Sequence, residues 1–296
     1  MVQIQNLTKT FDGFTALDKL NLNIKKGSIY GLVGINGSGK TTAIKHLAGL
    51  YRQDGGDVSI DGQAVYNNAP LKARVGFISD ELYFFSNYSI KALRKFYVNM
   101  YSETWNEGRY EHLLKMFGLD PKRKISKFSK GMQKQAAFIF AMAIMPDFLL
   151  LDEPIDGLDP IVRRQLMQEV IDDVAEREMT VLVSSHNLKE MDGICDAIGI
   201  IKSGRMVIER DLDDLKSDVH KIQLAYDGNF PSADLGLHVL HEENRGSIKM
   251  LVVRGTEDEV EAKIRATQPL IFDRLPLTLE EIFVYETEGA TDEIPY

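Results

Sequence analysis

GINGSGKTT, residues 34–42, is the stretch that decides the fold of this 296-residue chain. The fixed positions of the phosphate-loop pattern G-x-x-x-x-G-K-[ST] are filled by Gly34, Gly39, Lys40 and Thr41. The residues just before the loop have the apolar pattern of a short buried strand, and those after it have the pattern of a helix. Backbone N–H groups of such a loop and the helix N-terminus together surround phosphate oxygens. The sequence therefore predicts a nucleoside triphosphate site in a strand–loop–helix unit.

The side chains of this loop have distinct expected roles. Glycines let the backbone turn tightly and approach phosphate oxygens without a side chain in the way. Lys40 is expected to reach the β- and γ-phosphates, and the Thr41 hydroxyl to ligate Mg²⁺. The residues predicted to bind nucleotide here are Gly34, Asn36, Gly37, Ser38, Gly39, Lys40, Thr41 and Thr42.

Composition narrows the class of protein. The hydrophobic fraction is 44%, which is enough for a packed core, and no apolar run approaches the roughly 20 residues that a membrane span needs. The formal net charge is −9, and no basic stripe of the kind that binds nucleic acid is present. The single cysteine excludes an intrachain disulfide and fits a reducing cytosol. We therefore expect a cytoplasmic globular protein that does not bind nucleic acid.

The order of predicted elements indicates the architecture. Antiparallel strands are expected over residues 1–26, and strands alternate with helices from the phosphate loop onward, which favours a mostly parallel sheet covered on both faces. A helical insertion is expected at about residues 82–145. The pattern changes near residue 216, after which short strands and helices indicate a small α+β unit. We predict domains at 1–215 and 216–296.

Two predicted strands end in side chains that could take part in nucleotide hydrolysis or metal binding. Residues 148–153, FLLLDE, form an apolar strand ending in two acids. Asp152 is expected to hold Mg²⁺ and Glu153 to polarise an attacking water; the alternative is a helix N-cap acid. Residues 181–186 form a strand ending in His186. A lone histidine is often structural, but at the carboxyl end of a strand in an open α/β sheet it lies near the ligand crevice.

A third motif, KFSKGMQ at residues 127–133, precedes a predicted helix. Ser129 could simply be an N-cap residue. A serine followed by Gly131 at a helix N-terminus is also a potential anion site.

In this order and spacing the motifs resemble the nucleotide-binding subunit of an ATP-binding-cassette (ABC) transporter, over about residues 1–215. The likeness implies an α/β phosphate-loop NTPase fold, with a RecA-like mixed core sheet, an antiparallel β region and a helical insertion, followed by the small α+β C-terminal domain. GINGSGKTT resembles that family's Walker A motif, and FLLLDEP resembles Walker B with the catalytic glutamate at Glu153.

The resemblance implies further site residues. Gly157, Leu158 and Asp159 resemble the D-loop, which crosses to a partner subunit, and His186 matches the switch histidine that contacts the γ-phosphate. Phe11 is placed where the family stacks an aromatic ring on adenine. KFSKGMQ corresponds to the signature motif LSGGQ, in which Ser129 and Gly131 would contact the phosphate of ATP bound to the partner. The cofactors implied are ATP and Mg²⁺, and the catalytic residues are Glu153, His186 and Lys40.

Two positions depart from the family pattern. Lys130 and Met132 replace glycine and glutamine of the signature. Asp80 stands at the Q-loop glutamine that senses Mg²⁺ and water, and an aspartate there is shorter and charged, so its magnesium role is open. Both variants, and the C-terminal stretch PLTLEEIF at residues 276–283, resemble the branch that exports drugs, bacteriocins and peptides.

The resemblance also implies partners. Two subunits would sandwich two ATP molecules, and the presence of all the site motifs in one chain favours a homodimer. Dimer closure would act on a separate transmembrane permease, at the inner face of the cell membrane. The expected docking surface is residues 81–85 with Tyr88, although these apolar side chains could instead be core of the insertion.

The sequence disfavours two other classes of protein. A soluble ABC-type ATPase acting on ribosomes or DNA typically has two cassettes or a long coiled coil and basic surfaces, and this chain has one cassette and an acidic balance. A phosphate-loop kinase or GTPase has no use for the signature, the D-loop or His186, and the guanine-reading Asn-Lys-x-Asp motif is lacking. The sequence favours an ATPase subunit that powers export.

Overall fold

The computed structural model describes residues 1–227 and 236–288. The chain divides into two compact units, the first formed by Met1–Asn187 with Gly193–Glu209 and the second by Leu188–Asp192 with Arg210–Tyr296. Because the turn at Leu188–Asp192 groups with the second unit, the two units are interleaved in sequence. The boundary near residue 216 stays a prediction.

A six-stranded sheet forms the centre of the first unit, with strand order β10-β9-β3-β8-β7-β6. Strand β3 pairs in parallel with β8 and β9, and β7 pairs in parallel with β6 and β8. All residues of β3, β7 and β8 are buried, which explains why β3, β7 and residues 181–183 of β8 are runs of successive apolar residues instead of alternating patterns. The strands are β3 (Ile29–Val33), β6 (Val75–Ile78), β7 (Phe148–Leu151), β8 (Thr180–Ser185), β9 (Ala197–Lys202) and β10 (Arg205–Asp211).

A second, four-stranded sheet in this unit has the order β2-β1-β4-β5, and its strand pairs are antiparallel. The turn between β1 and β2 contains Asp12 and Gly13, both with positive φ (46° and 85°), as a tight two-residue hairpin requires. This confirms the hairpin predicted over residues 1–26. The strands are β1 (Val2–Phe11), β2 (Phe14–Ile24), β4 (Gly55–Ile60) and β5 (Gln63–Ala64).

Six helices of the first unit are described in the residues that the structure covers. The helical pattern that runs through the predicted insertion is divided between α3 and α4, because Asn106 caps a new helix by accepting a hydrogen bond from the Arg109 amide. The helices are α1 (Lys40–Leu47), α2 (Ala69–Lys72), α3 (Ile90–Met100), α4 (Glu107–Phe117), α5 (Lys130–Ala143) and α6 (Pro160–Arg177).

The core of the first unit is formed by large side chains from both sheets and from helices α1 and α5. Each fully buried aliphatic or aromatic side chain contributes about 1.5–3 kcal/mol relative to its exposed state. Tyr30 carries a polar atom into this core, and its hydroxyl donates to Glu209 Oε1 at 2.9 Å. The largest fully buried side chains are Tyr30, Phe138, Phe140, Ile4, Leu7, Leu17, Leu20, Ile24, Leu32, Ile44 and Leu47.

The second unit contains an antiparallel sheet of order β12-β13-β11-β14 with its own hydrophobic core. Its core side chains come from two strands and one helix: Ile222, Leu224, Leu251, Val253, Val260 and Ile264. The elements are α7 (Leu212–Asp218), β11 (Val219–Ala225), β12 (His238–Arg245), β13 (Ile248–Arg254), α8 (Glu257–Arg265), β14 (Ile271–Leu275) and α9 (Leu279–Glu288). This unit contains short strands and helices, as predicted for the part of the chain after residue 216.

The short turn that precedes residue 193 packs against the last helix of the second unit. A 3₁₀ turn at Leu188–Glu190 contacts α9, and Lys189 Nζ lies 3.0 Å from Glu280 Oε2. Within residues 1–227 and 236–288, none of the helices has the length and apolar content that crossing a membrane requires.

Candidate active site

The phosphate loop connects the carboxyl end of β3 to the start of α1, as predicted. Gly37 and Gly39 have φ values of 80° and 111°, which side-chain-bearing residues adopt only with strain. Gly34 is required for a different reason, since a Cβ there would lie 2.4 Å from the Ile201 carbonyl oxygen and 2.6 Å from Ser38 Oγ. Ser38 is buried, and its Oγ has no hydrogen-bond partner. The loop therefore holds an unpartnered hydroxyl where a phosphate oxygen could accept its proton.

Lys40 is buried at the first position of α1. Its Nζ donates to the Gly34 carbonyl at 2.5 Å and to the Ile35 carbonyl at 3.3 Å, both within the loop. The same ammonium lies 3.3 Å from Glu153 Oε1. The cation is thus held over the loop and beside the acid that follows β7.

Asp152 is fully buried immediately after β7. Its Oδ1 accepts a hydrogen bond from Ser184 Oγ at 2.7 Å, while its Oδ2 has no hydrogen-bond partner. Burial raises the pKa of Asp152, and hydrogen bonds from Ser184 and Thr41 oppose that rise. A buried carboxylate oxygen without a partner, beside the Thr41 hydroxyl, offers the hard oxygen ligands that Mg²⁺ prefers.

These residues fit a magnesium ion. Asp152 and Thr41 would hold it, directly or through water, and the unpartnered Oδ2 is the atom available for this purpose. When bound, Mg²⁺ neutralises charge on phosphate oxygens and helps to orient them.

Glu153 lies between two groups that can carry positive charge. Its Oε2 is 3.0 Å from His186 Nδ1, and its Oε1 faces Lys40. The Glu153 side chain is 12% exposed, whereas the His186 side chain is 49% exposed. Glu153 has a φ of 47°, in the left-handed region that non-glycine residues rarely adopt. The structure therefore brings together the three residues predicted to be catalytic, and their roles in turnover stay predictions.

Ser184 belongs to this site although its motif gave no indication of it. Its hydroxyl donates to Asp152 and accepts a hydrogen bond from the Glu153 amide at 3.0 Å. Ser184 is fully buried near the end of β8, beside β7. Two successive serines at the end of a fully buried strand are the sequence signal that could have identified it, because a buried hydroxyl needs a partner.

The signature and D-loop residues lie at two helix N-termini. Ser129 is exposed and caps α5, where its Oγ accepts from the Met132 amide at 3.2 Å. Asp159 caps α6 and accepts from the Ile161 amide at 2.9 Å. A Cβ at Gly131 would lie 3.5 Å from the Gly157 carbonyl oxygen, so the two motifs adjoin each other. The predicted contacts of Ser129, Gly131 and Asp159 with nucleotide stay predictions.

The remaining predicted residues have the following surroundings. Phe11 is 37% exposed at the end of β1, and its ring meets Tyr51 edge-on with centroids 5.4 Å apart. Asn36 is exposed, and the Thr42 carbonyl lies 2.8 Å from His46 Nδ1. Asp80 Oδ1 accepts a hydrogen bond from Lys134 Nζ at 3.2 Å. The stacking role of Phe11 and the magnesium role of Asp80 stay predictions.

Comparison with known proteins places this geometry in a family. The ABC transporter family profile matches residues 17–156. The chain is 31% identical over 253 residues to the bacitracin transport ATP-binding protein BcrA of Bacillus licheniformis, covering 80% of this chain and 82% of BcrA. The chain belongs to the ATP-binding subunits of ABC transporters.

Two further similarities cover different lengths of this ABC subunit. The ABC transporter ATP-binding protein YtrB of Bacillus subtilis (strain 168) is 29% identical over 98% of this chain and 99% of YtrB. The solved dimeric ATP-binding cassette in a post-hydrolysis state with ADP and Pi superposes with a TM-score of 0.65 at 25% identity, over 72% of this chain and 99% of that one. The predicted ABC cassette fold is confirmed.

The activity follows from the family and the site together. The ABC subunit is an ATPase that hydrolyses ATP to ADP and phosphate, with ATP as its nucleotide and Mg²⁺ as its cofactor. Hydrolysis is phosphoryl transfer to water, which depends mainly on positioning and charge neutralisation. Lys40 supplies positive charge at the phosphate loop, and Glu153, whose Oε1 lies 3.3 Å from Lys40 Nζ, is the carboxylate predicted to orient the water.

Proposed function

We propose that this ABC subunit powers export through a separate transmembrane permease, working as a homodimer at the inner face of the cell membrane. The observation that carries the proposal is the position of Glu153 between Lys40 and His186 at the phosphate loop, which brings together the three residues predicted to hydrolyse ATP. The similar protein BcrA is a bacitracin transport ATP-binding protein, and this similarity supports a transport function for the present chain.

The homodimer is supported by the distribution of motifs. The first unit carries both a phosphate loop and an exposed Ser129 at the N-terminus of α5, and backbone N–H groups at a helix start favour an anion. If each phosphate loop faces the Ser129 of a partner subunit, two identical chains complete two sites. The solved dimeric cassette similar to this chain supports the same assembly.

The docking surface for the permease is supported by exposed aromatic side chains. Tyr83 is 95% exposed and Phe85 52% exposed, in the segment between β6 and α3. Phe85 lies against Tyr88 and Phe96, with ring centroids 4.8 Å and 6.1 Å apart. An exposed aromatic cluster of this kind is typical of an interaction site, and the exposure of Tyr83 argues against the alternative that this segment is core. The permease is the partner that we propose for it.

The experiment that tests permease coupling is a pull-down from detergent-solubilised native membranes. Tagged Glu153→Gln protein is incubated with ATP and magnesium, and co-purifying proteins are identified by mass spectrometry. We expect a polytopic membrane protein, and we expect the added substitutions Tyr83→Ser/Phe85→Ser to lose it. The same two substitutions in the protein that keeps Glu153 should leave ATPase activity unchanged. Recovery of only ribosomal or DNA-repair proteins would instead support the soluble ABC-type ATPase.

Direction is tested in inverted membrane vesicles that contain this subunit and the recovered permease. Export from the cytoplasm appears there as ATP-dependent accumulation of substrate inside the vesicle. Uptake in right-side-out vesicles, with none in inverted ones, would contradict export and leave the ATPase assignment intact.

A further inference from the structure

Lys134 is a buried lysine of helix α5 whose ammonium is fully occupied by three acceptors. Its side chain is 9% exposed, and its Nζ lies 3.2 Å from Asp80 Oδ1, 2.7 Å from the Glu153 carbonyl and 3.1 Å from the Asp156 carbonyl. An ammonium has three N–H donors and no acceptor, so each donor has one partner here. No motif in the sequence assigns a role to this residue.

The three acceptors belong to three separate segments of the active site. Asp80 follows β6, Glu153 follows β7, and Asp156 lies in the loop that leads to α6. Lys134 itself is in the helix that Ser129 caps. One side chain therefore connects helix α5, the Asp80 segment, the backbone of Glu153 and the loop that leads to α6.

The contact to Glu153 matters because that backbone is strained. A left-handed conformation is unfavourable for a residue with a side chain, and Glu153 has φ of 47°. Its amide donates to Ser184 Oγ at 3.0 Å, and its carbonyl accepts from Lys134. Both polar groups of the Glu153 backbone are thus held by side chains. Rotation of either peptide plane would move the carboxylate relative to Lys40 and His186.

Asp80 explains how a positive charge is kept at this buried position. An ammonium taken out of water without a counter-ion is costly. The Asp80 carboxylate supplies the counter-charge, and the two carbonyls supply the remaining hydrogen bonds. The aspartate at this position, which departs from the glutamine of the family pattern, therefore has a partner of opposite charge on α5.

We propose that Lys134 is a positioning residue for ATP hydrolysis, which fixes the strained turn at Glu153, and that Asp80 is its charge partner. Lys134 contacts neither the phosphate loop nor Lys40 in its described hydrogen bonds; it acts through the Glu153 backbone. The proposal concerns the ATPase reaction itself, so its test requires no permease.

The test compares Lys134→Met with the wild-type protein in steady-state ATPase assays. Methionine has similar length but no donor, so it removes all three hydrogen bonds. We expect kcat to fall about 10- to 100-fold, because displacement of a catalytic group by about 1 Å has effects of this size. We expect KM for ATP, and the Kd for a fluorescent ATP analogue, to stay within about 2-fold, because the phosphate loop is untouched. Lys115→Met, an exposed lysine on α4, is the matched control with unchanged activity.

A second comparison separates positioning from general loss of structure. The second comparison is made in the Glu153→Gln protein, whose slow residual ATP turnover is followed over hours. Lys134→Met should reduce this residual rate by less than about 3-fold, because the effects of groups that act as a unit are not additive. Lys134→Gln, which keeps two donors, should recover part of kcat, and it replaces Lys134→Met in both comparisons if the methionine variant does not fold. An equal fold loss in both backgrounds, an unchanged kcat, or an effect confined to KM would overturn the proposal.

Discussion

The hydroxyl of Ser184 donates a 2.7 Å hydrogen bond to Asp152 Oδ1, and both side chains are fully buried. Ser184 Oγ also accepts a hydrogen bond from the backbone amide of Glu153, the residue after Asp152. One buried hydroxyl therefore fixes the orientation of Asp152, which is predicted to hold magnesium, and the backbone amide of Glu153, which is predicted to be the catalytic acid.

Ser184→Ala is expected to lower both activity and stability. The change leaves Asp152 Oδ1 and a buried amide without their partner, which costs about 1–3 kcal/mol in unfolding free energy. We expect kcat to fall about 10-fold, by analogy with other residues that orient metal ligands. Urea unfolding and steady-state ATPase assays measure the two effects. Ser184→Thr keeps the hydroxyl and serves as the control; an alanine variant with wild-type kcat would show that the hydrogen bond is dispensable.

Glu153→Gln is expected to bind ATP and to lose turnover. The amide keeps the size of the side chain but cannot act as the negatively charged acceptor that orients water, so kcat should fall by roughly 100-fold or more. Size exclusion with ATP and magnesium should show a trapped dimer. The matched control is Glu178→Gln, an exposed glutamate paired with Lys26. Near wild-type hydrolysis by Glu153→Gln would remove Glu153 from its assigned role.

Gly34→Ala is expected to abolish nucleotide binding, because its Cβ would collide with the Ile201 carbonyl oxygen at 2.4 Å. Because the colliding atom belongs to the Ile201 backbone, it cannot move aside as the end of a flexible side chain could, and the phosphate loop must shift instead. The control is Gly62→Ala, at a turn with φ of 74° and no atom within 4 Å of the added Cβ. That variant should lose about 1 kcal/mol of stability and retain ATP affinity. Isothermal titration calorimetry measures the affinity, and tight ATP binding by Gly34→Ala would contradict the expectation.

Asp80→Asn separates two roles of Asp80. Because its carboxylate is paired with Lys134 at 3.2 Å, we expect kcat to fall several-fold with the magnesium concentration for half-maximal activity unchanged. A magnesium titration at saturating ATP makes the measurement. If the half-saturating magnesium concentration rises instead, the magnesium role predicted from the family pattern is supported and the charge-partner role is not.

His46 is expected to make stability depend on pH. It is buried on α1 with Nδ1 2.8 Å from the Thr42 carbonyl, and burial lowers its pKa from the usual 6.5. Because the unfolded chain binds the proton more readily, the contribution of neutral His46 is present above pH 6.5 and is lost as pH falls through the folded pKa. The slope is at most about 1.4 kcal/mol per pH unit. His46→Asn, whose amide can donate to the same carbonyl, should weaken this dependence in urea unfolding at pH 5.5 and 8; an identical dependence would rule out His46.

The motifs predicted the fold and most of the site because each motif places particular residue types at the end of a strand or at the start of a helix. The Gly34–Thr42 stretch requires a strand before it and a helix after it, and the acids of FLLLDE require a strand that ends there. Lys134 was missed because two of its partners are backbone carbonyls, which no side-chain pattern encodes. The exposure of Tyr83 was also beyond the sequence, since an apolar run is equally compatible with core and with surface.

The interleaving of the two units limits how the protein can be shortened. The turn at Leu188–Asp192 follows His186 directly in the chain but packs with the C-terminal unit, where Lys189 pairs with Glu280 of α9. A truncation after Glu209 therefore removes the packing partner of the residues that follow His186, the predicted switch histidine. The C-terminal unit therefore cannot be removed without exposing a turn that begins two residues after His186 in the chain.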